Sequence, residues 1–353
     1  MDHRERVMAA MRHEEPDRVP FFYRDVLEVE ERLRRDLGLA DREALLRAFD
    51  IDFRWVAPHY VGPPLEDAAA GLRRDIYGVK SRYVHSETGG YWEPVAFPLA
   101  GVEDAAALDD HPWPRIEWFD FSGLEAQCRA FAGYALMTAP AYASPSPLGV
   151  VQNLLGIERA MMDMALRPEF LEALFDRVVS FQAEYVERML SAAGGRIDFF
   201  RIGDDFGTQR ALLFSEAHWR RFLRPVLVRL STIARRHGAF YYHHSCGAIR
   251  PLIPALIEAG VDVLDPVQVK AHGMAPGGLK AQFGGRLVFS GGVDEQELLP
   301  RGTPDDVRRG VRNLLDVMAP GGGFFIGPTH NFQSDIPTAN IVAMYDAARR
   351  WRR

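Results

Sequence analysis

Short apolar runs alternate with amphipathic stretches along the chain, most clearly in its second half. Runs rich in β-branched and aromatic residues predict seven strands, within residues 49–58, 134–140, 197–205, 239–246, 261–268, 286–293 and 322–329. Between them, stretches such as SEAHWRRFLRPVLVRLSTIARRH carry apolar residues three or four positions apart, which is typical of helices that pack on one face. The repeated order of strand and helix predicts parallel βαβ units.

Two architectures are built from such units, a closed barrel and an open doubly wound sheet. None of the seven runs is followed by the G-x-G-x-x-G turn of a dinucleotide-binding open sheet. The pattern therefore favours the α/β class and a single TIM-type (β/α)8 barrel over residues 1–353, with the open sheet as the alternative. The last helix is expected to begin near Pro337, because proline is frequent at helix starts.

Residues 60–115 interrupt the alternation of strands and helices. Within them, KSRYVHSETGGYWEPVAF alternates polar and apolar residues about a Gly-Gly pair, which predicts a β-hairpin. The stretch DDHPWPRIEWFDF, which is rich in turn residues, follows. We interpret this segment as an insertion near the barrel mouth and not as a separate domain.

Composition and charge exclude several classes of function. The net charge is -6 and no block of lysine or arginine stands out, so no nucleic-acid partner is expected. No apolar run is long enough to span a bilayer and no signal core is visible, so no membrane partner is expected. The chain has two cysteines, Cys128 and Cys246, which argues against a disulfide framework and favours a reducing cytoplasm.

Polar and ionisable residues recur where the predicted strands end. The carboxyl ends of barrel strands converge on one face, where active sites are built. The residues are Asp204, Asp205 and Gln209 after the third run, His244 and Cys246 after the fourth, Asp265 and Gln268 after the fifth, Asp294 after the sixth, and His330, Asn331 and Gln333 after the seventh. This recurrence predicts an active site at that face.

The segment HHSCG ends the fourth run and suggests a metal site. Alternate residues of a strand face the same side, so His244 and Cys246 are expected to point together, with His243 on the opposite face. An imidazole and a thiolate two residues apart can share one zinc ion. The alternative is a buried thiol beside a hydrogen-bonded core histidine.

A third ligand would favour zinc. His330 ends the seventh run at the same face and would leave a fourth position open, as in catalytic zinc sites, unless it only serves a turn. Cys128 lies in a predicted helix and is expected in the core.

The acids and amides at the strand ends are candidate catalytic and substrate-binding residues. Asp204 or Asp205 could cap a following helix, while the other acts as an acid or base or supports the metal. Five residues are candidates for binding substrate, with surface roles as the alternative: Gln209, Gln268, Asp294, Asn331 and Gln333.

Together with longer segments, these residues make the chain resemble the uroporphyrinogen decarboxylase superfamily, in particular its branch of zinc-dependent, corrinoid-linked methyltransferases. The segments are PDRVPFF, DDFGTQ, HHSCGAIRPLIPALIEAGVDVLDPVQ, LKAQFGGRLVFSGGVDEQELLP and GGGFFIGPTHNFQSDIPTANIVAMYDAAR. The resemblance covers nearly the whole chain and implies a TIM-type barrel.

The resemblance also implies a ligand set. In this branch an H-x-C pair and a later cysteine hold zinc, and the pair falls on His244 and Cys246. The later cysteine, seven residues before the proline that opens the last helix, falls on His330. Histidine at that position makes the site less negative and zinc a stronger Lewis acid, which favours activation of an ether oxygen over a thiol.

The implied activity is transfer of a methyl group from a small O-methyl donor, such as a methoxy-aromatic compound, to the cobalt of a corrinoid (cobalamin) carried by a partner protein. Three alternatives remain: a thiol methyltransferase that uses methyl-corrinoid, a metal-free uroporphyrinogen-type decarboxylase, and a non-catalytic partner of a corrinoid protein. The decarboxylases carry an arginine-rich RQAGRY stretch near the N-terminus, and FFYRDVLEVEERLRRDL lacks it. The oligomeric state stays open, with a homodimer as one option.

Overall fold

A computed structural model of the chain describes residues 1–67, 71–86, 89–139 and 146–352. The strands are β1 (Phe53–Val56), β2 (His59–Tyr60), β3 (Glu66–Asp67), β4 (Leu72–Arg74), β5 (Lys80–Ser86), β6 (Gly89–Ala96), β7 (Phe119–Asp120), β8 (Ala135–Thr138), β9 (Phe199–Gly203), β10 (Phe240–His244), β11 (Val263–Asp265), β12 (Val288–Val293) and β13 (Phe324–Pro328).

The helices surround these strands. They are α1 (His3–Met11), α2 (Leu27–Leu37), α3 (Arg42–Ala48), α4 (Leu124–Ala130), α5 (Pro147–Leu155), α6 (Ile157–Leu166), α7 (Pro168–Ala192), α8 (Glu216–His218), α9 (Arg224–Arg236), α10 (Ile253–Glu258), α11 (Pro276–Phe283), α12 (Leu298–Arg301), α13 (Pro304–Met318) and α14 (Thr338–Arg350). Short 3-10 turns cover Ala105–Asp110, Ile116–Trp118 and Arg250–Leu252, and a π-helical turn, Trp219–Leu223, joins α8 to α9.

Seven parallel strands form one curved sheet in the order β1-β8-β9-β10-β11-β12-β13. All seven predicted strands are confirmed, although Pro140, at the end of one predicted run, lies outside the described residues. The segment around Phe21 fills the eighth position. Phe22 N–H donates to Ile326 O of β13 at 2.8 Å, and Asp52 N–H donates to Phe21 O at 3.1 Å. This segment connects β13 to β1, so the fold is a TIM-type (β/α)8 barrel and not an open sheet.

Aromatic and aliphatic side chains fill the inside of the barrel. Those that point inward include Phe22, Phe53, Met137, Phe199, Tyr242 and Phe325. Helix α1 packs Val7, Ala10 and Met11 against this core. Its backbone is hydrogen-bonded to residues just before β8 and β13, so α1 covers the amino ends of the strands. The carboxyl ends are therefore the open face, which we call the mouth.

The insertion begins beyond the carboxyl end of β1, on the side of the mouth. Strands β3 to β6 form an antiparallel sheet, and β2 pairs with β7. The predicted hairpin is β5 and β6, but the glycine pair belongs to strand β6. Gly89 and Gly90 pair with Ser86 and His85, and the connecting residues 87–88 lie outside the described residues.

Three smaller expectations concern helices. Helix α14 begins at Thr338 with Pro337 as its N-cap, which confirms the predicted start. Cys128 is buried on α4, as predicted for a core residue. None of the described helices combines the length and the apolar character needed to cross a membrane.

Candidate metal centre

His244 is the last residue of β10, and its imidazole points into the mouth. It pairs in register with Asp265, the last residue of β11, and its Nδ1 lies 2.7 Å from Asp265 Oδ2. Arg24 Nη1 is 2.9 Å from the same nitrogen, but it donates to Asp265 Oδ2 at the shorter distance of 2.8 Å. The carboxylate accepts from Nδ1–H, which leaves the lone pair of Nε2 free to bind a metal.

Cys246 and His330 meet His244 at this point. Cys246 Sγ lies 3.6 Å from His244 Nε2, and the rings of His244 and His330 are 5.7 Å apart between centroids. One ligand atom from each of the three residues lies within 4.8 Å of the others. Zinc bound at its usual distances holds ligand atoms about 3–4 Å apart, so a small contraction would complete the site.

The three candidate ligands differ in their exposure to solvent. His244 is buried, Cys246 is half-buried and His330 is exposed. The cluster is therefore closed on the barrel side and accessible from the mouth. Three protein ligands with one accessible side are the arrangement of a catalytic zinc site, in which a fourth position takes water or substrate.

Two neighbouring loops hold the backbone that carries Cys246. Cys246 N–H donates to Asp205 Oδ1 at 2.8 Å, and Gly247 N–H donates to Gln268 Oε1 at 2.5 Å. Gly247 has a φ of +92°, and a Cβ there would lie 2.3 Å from the carbonyl oxygen of Gly207. Only glycine satisfies both the left-handed backbone and the close approach of these loops. The thiol is thus held in place from both sides.

His243 lies on the opposite face of β10, as strand alternation predicts. Its ring stacks on Phe206 with centroids 5.1 Å apart, and burial lowers its pKa to about 3. It is therefore a neutral core residue at physiological pH.

A buried ion pair supports His244 from behind. Besides binding Asp265, Arg24 donates from Nη2 to the carbonyl oxygen of Thr329 at 2.9 Å. Burial alone would raise the pKa of Asp265, but the charge of Arg24 and the hydrogen bond from His244 hold it below its usual range. In the sequence alone, Asp265 is a polar residue at a strand end with no assigned role, although the order of the strands places it beside His244. Nothing in the sequence singled out Arg24 as its partner.

The structure separates the two predicted catalytic aspartates. Asp204 is buried and caps α5: its Oδ1 accepts from Ser146 Oγ and Gly149 N–H at 2.9 Å, and its Oδ2 accepts from Leu148 N–H at 3.0 Å. Burial raises its pKa to about 7. Asp205 faces the mouth instead, with Oδ1 3.7 Å from His244 Nε2. Asp204 is therefore the helix cap, but the helix it caps, α5, precedes it in the chain, whereas the sequence predicted a following helix. Asp205 is the remaining catalytic candidate.

Replacing Asp204 by alanine should separate these two roles. We expect Asp204→Ala to lower the free energy of unfolding by about 1–3 kcal/mol, because three buried or half-buried donors lose their acceptor. Zinc content should not change. Urea unfolding and metal analysis measure the two effects. Asp41→Ala, which removes the exposed cap of α3, is the matched control and should cost about 1 kcal/mol or less. Loss of zinc with Asp204→Ala would contradict the separation.

The five predicted substrate-binding residues fall into two groups. Three of them support loops: Gln268 accepts from Gly247 N–H, Asp294 accepts from the backbone amides of Gln296 and of Leu298, the first residue of α12, and Gln333 Nε2 donates to Asn331 O at 3.3 Å. The side chains of Gln209 and Asn331 make no hydrogen bond to any described residue. Gln209 is exposed, and Asn331 is half-buried beside His330. These two remain candidates for contact with substrate.

Glu295, and not the predicted Asp294, is the acid after β12 that lies beside the cluster of candidate ligands. Its carboxylate accepts from the backbone N–H of His330 and lies 3.5 Å from Thr329 Oγ1. Burial raises its pKa to about 8. The local sequence offers two adjacent acids, and only the turn after β12 decides which of them faces the mouth.

Comparisons with known proteins agree with this fold. The family model described as uroporphyrinogen decarboxylase (URO-D) matches residues 143–351, which is more than half of the chain. A solved structure of a methyltransferase from Methanosarcina mazei aligns over 99% of this chain and 98% of its own, with a TM-score of 0.66 and 18% identity. At that identity the likeness concerns the fold.

More distant matches add little. A GH10 endoxylanase from a sugarcane soil metagenome aligns over 65% of this chain and 94% of its own, with a TM-score of 0.36 and 8% identity. No curated protein matches the chain.

Proposed function

The chain belongs to the uroporphyrinogen decarboxylase family, and from this premise we propose that it is a zinc-dependent methyltransferase. It moves a methyl group from a small O-methyl donor, such as a methoxy-aromatic compound, to the cobalt of a corrinoid carried by a partner protein. The observation that carries this proposal is the cluster of His244, Cys246 and His330 at the mouth.

The donor set of this cluster fits zinc. Two imidazole nitrogens and one thiolate are ligands that zinc prefers, and Asp265 orients His244 as a carboxylate commonly does for a zinc-bound histidine. Zinc held by His244, Cys246 and His330 would act as a Lewis acid that polarises the ether oxygen and stabilises the negative charge developing on it. The exposed side of His330 leaves the donor a path into the mouth.

The proposed methyl transfer consumes one proton and requires the corrinoid cobalt of the acceptor in its reduced state. The bond between the methyl carbon and oxygen breaks, and its electron pair stays with oxygen, which takes up a proton. The cobalt(I) of the acceptor supplies the pair for the new carbon–cobalt bond and becomes formally cobalt(III). Asp205, half-exposed and 3.7 Å from His244 Nε2, is the candidate to deliver the proton or to orient the donor.

Two features favour this reaction over the alternatives. His330 in the place of a second thiolate makes the site less negative, which favours an ether oxygen over a thiol. A metal-free decarboxylase would need Asp204 and Asp205 together on the pyrrole nitrogens of its substrate, whereas the carboxylate of Asp204 is occupied by α5.

The test follows the spectrum of cob(I)alamin mixed with the zinc-loaded protein and a panel of methoxy-aromatic compounds and methyl thioethers. We expect zinc-dependent formation of methylcobalamin from the methoxy compounds. Asp205→Asn should lower the rate about 100-fold, the usual contribution of a general acid, with zinc retained. Asp294→Asn is the matched control, because the carboxylate of Asp294 accepts hydrogen bonds from backbone amides of the segment that follows it. Transfer from thioethers alone, or full activity without zinc, would contradict the proposal.

A further inference from the structure

Arg201 is a nearly buried cation that, among the described residues, shares its nearest carboxylate with a second arginine. It lies on β9 and points into the barrel below the mouth, with 13% of its side chain exposed. Its guanidinium group makes no hydrogen bond to any described residue, and its Nε is fully buried. Among the same residues, the one carboxylate oxygen within 4 Å is Asp265 Oδ2, at 3.9 Å from Nη2.

The oxygen of that carboxylate that lies nearest to Arg201 already has two other partners, whereas Asp265 Oδ1 is buried and makes no hydrogen bond to any described residue. Asp265 Oδ2 accepts from His244 Nδ1 and from Arg24 Nη1, and Arg24 uses its Nη2 on Thr329 O. One aspartate therefore stands opposite two buried guanidinium groups. Burial lowers the pKa of Arg201, and the positive charge of Arg24 adds to this while Asp265 only partly opposes it. Buried charges are normally paired, so the positive charge of Arg201 calls for an anion from outside the chain.

Glycine at position 203 leaves room between Arg201 and His244 that a side chain would otherwise occupy. Gly203 follows Arg201 by two residues on the same face of β9. A Cβ at Gly203 would lie 3.6 Å from His244 Cβ and 4.0 Å from Arg201 Nη1, so a larger side chain would fill this space. The guanidinium of Arg201 also lies over the ring of Trp55, with the ring centroid 5.8 Å from Arg201 Cζ. A flat, apolar molecule with a charged end suits these surroundings.

We propose that Arg201 binds a carboxylate group of the methyl donor, so that the preferred donors are methoxy-substituted aromatic acids and not neutral methyl ethers. A guanidinium group matches a carboxylate with two parallel N–H···O hydrogen bonds. Arg24 is not the expected carboxylate-binding residue, because its Nη1 and Nη2 already donate to Asp265 and to the carbonyl oxygen of Thr329. The identity of the ligand as a methyl donor rests on the proposed function, whereas the anion site itself does not.

The test compares the binding of benzoate and benzamide by calorimetry, in metal-free and in zinc-loaded protein. These probes share a ring and differ in charge. We expect metal-free protein to bind benzoate about 10- to 100-fold more tightly, as a hydrogen-bonded charge pair would give. Arg201→Gln should bring the ratio close to one, and Arg201→Lys should keep part of the preference. Circular dichroism checks that both variants fold. Arg210→Gln, in the exposed loop after β9, is the matched control.

The outcomes separate this inference from the proposed function. Equal binding of benzoate and benzamide by the unmodified chain overturns the anion site. Benzoate binding that requires zinc and survives Arg201→Gln also overturns it, because the carboxylate then binds the metal. A preference that depends on Arg201, in a protein that transfers no methyl group, supports the anion site and counts against methyl transfer. Equal transfer from 4-methoxybenzoate and 4-methoxybenzamide counts against the anion site alone.

Discussion

The purified chain is expected to hold about one zinc ion, and His244→Ala and Cys246→Ala are each expected to lose it. Each substitution removes one of three ligand atoms that lie within 4.8 Å of one another. Loss of a residue that merely supports a ligand weakens metal binding about 10- to 100-fold, so loss of a ligand itself should exceed about 100-fold. Metal analysis after dialysis and competition with a chromophoric chelator measure the effect.

The controls use residues of the same type elsewhere in the chain. Cys128→Ala removes the buried thiol of α4, and His237→Ala removes an imidazole that contacts Glu187. Both variants should keep their zinc. If either control lost as much zinc as Cys246→Ala, the metal would be bound nonspecifically or elsewhere.

His330 is tested by a substitution that keeps a zinc ligand. His330→Cys should retain the ion, since thiolate is also a good ligand, whereas His330→Ala should bind it more weakly. The added negative charge should also lower the rate with methoxy compounds relative to methyl thioethers. Unchanged zinc affinity in both variants would identify His330 as a loop residue only.

Most of the barrel could be predicted because its strands carry a strong local signal. Runs such as AFYYHHSC and RLVFSGGV combine β-branched and aromatic residues and are bounded by turns. The eighth position could not be found this way. PDRVPFF contains two prolines and a short apolar run, and its pairing partners are β13 and the start of β1, at opposite ends of the chain. Its place in the sheet depends on closure of the barrel.

The meeting of His244, Cys246 and His330 could be predicted from strand geometry, whereas the residues that support them could not. Alternation places His244 and Cys246 on one side, and parallel strands bring His330 to the same face. The choice between Asp204 and Asp205 depends on the first turn of α5, where Leu148 and Gly149 precede Asp204 by 56 and 55 residues. Arg24 and its partner Asp265 lie more than 200 residues apart in the sequence, so no local pattern connects them.

Asp265→Ala should have the largest effect on stability near the site. It would leave Arg24 and Arg201 buried without an opposing carboxylate, and removing one partner of a buried ion pair typically costs about 3–5 kcal/mol. It would also remove the acceptor that orients His244, so zinc affinity should fall about 10- to 100-fold. Urea unfolding of the metal-free protein and chelator competition measure the two effects independently.

Asp265→Asn distinguishes the charge of this residue from its shape. The amide oxygen can still accept from His244 Nδ1, so the imidazole should keep its orientation, but the charge opposite Arg24 is lost. We therefore expect a large loss of stability with a smaller loss of zinc affinity. Asp262→Asn is the matched control, because this half-buried aspartate before the same strand accepts, among the described residues, only from Tyr241 N–H. It should lower stability modestly and leave zinc bound. Equal effects of both asparagine variants on zinc would mean that Asp265 does not act through His244.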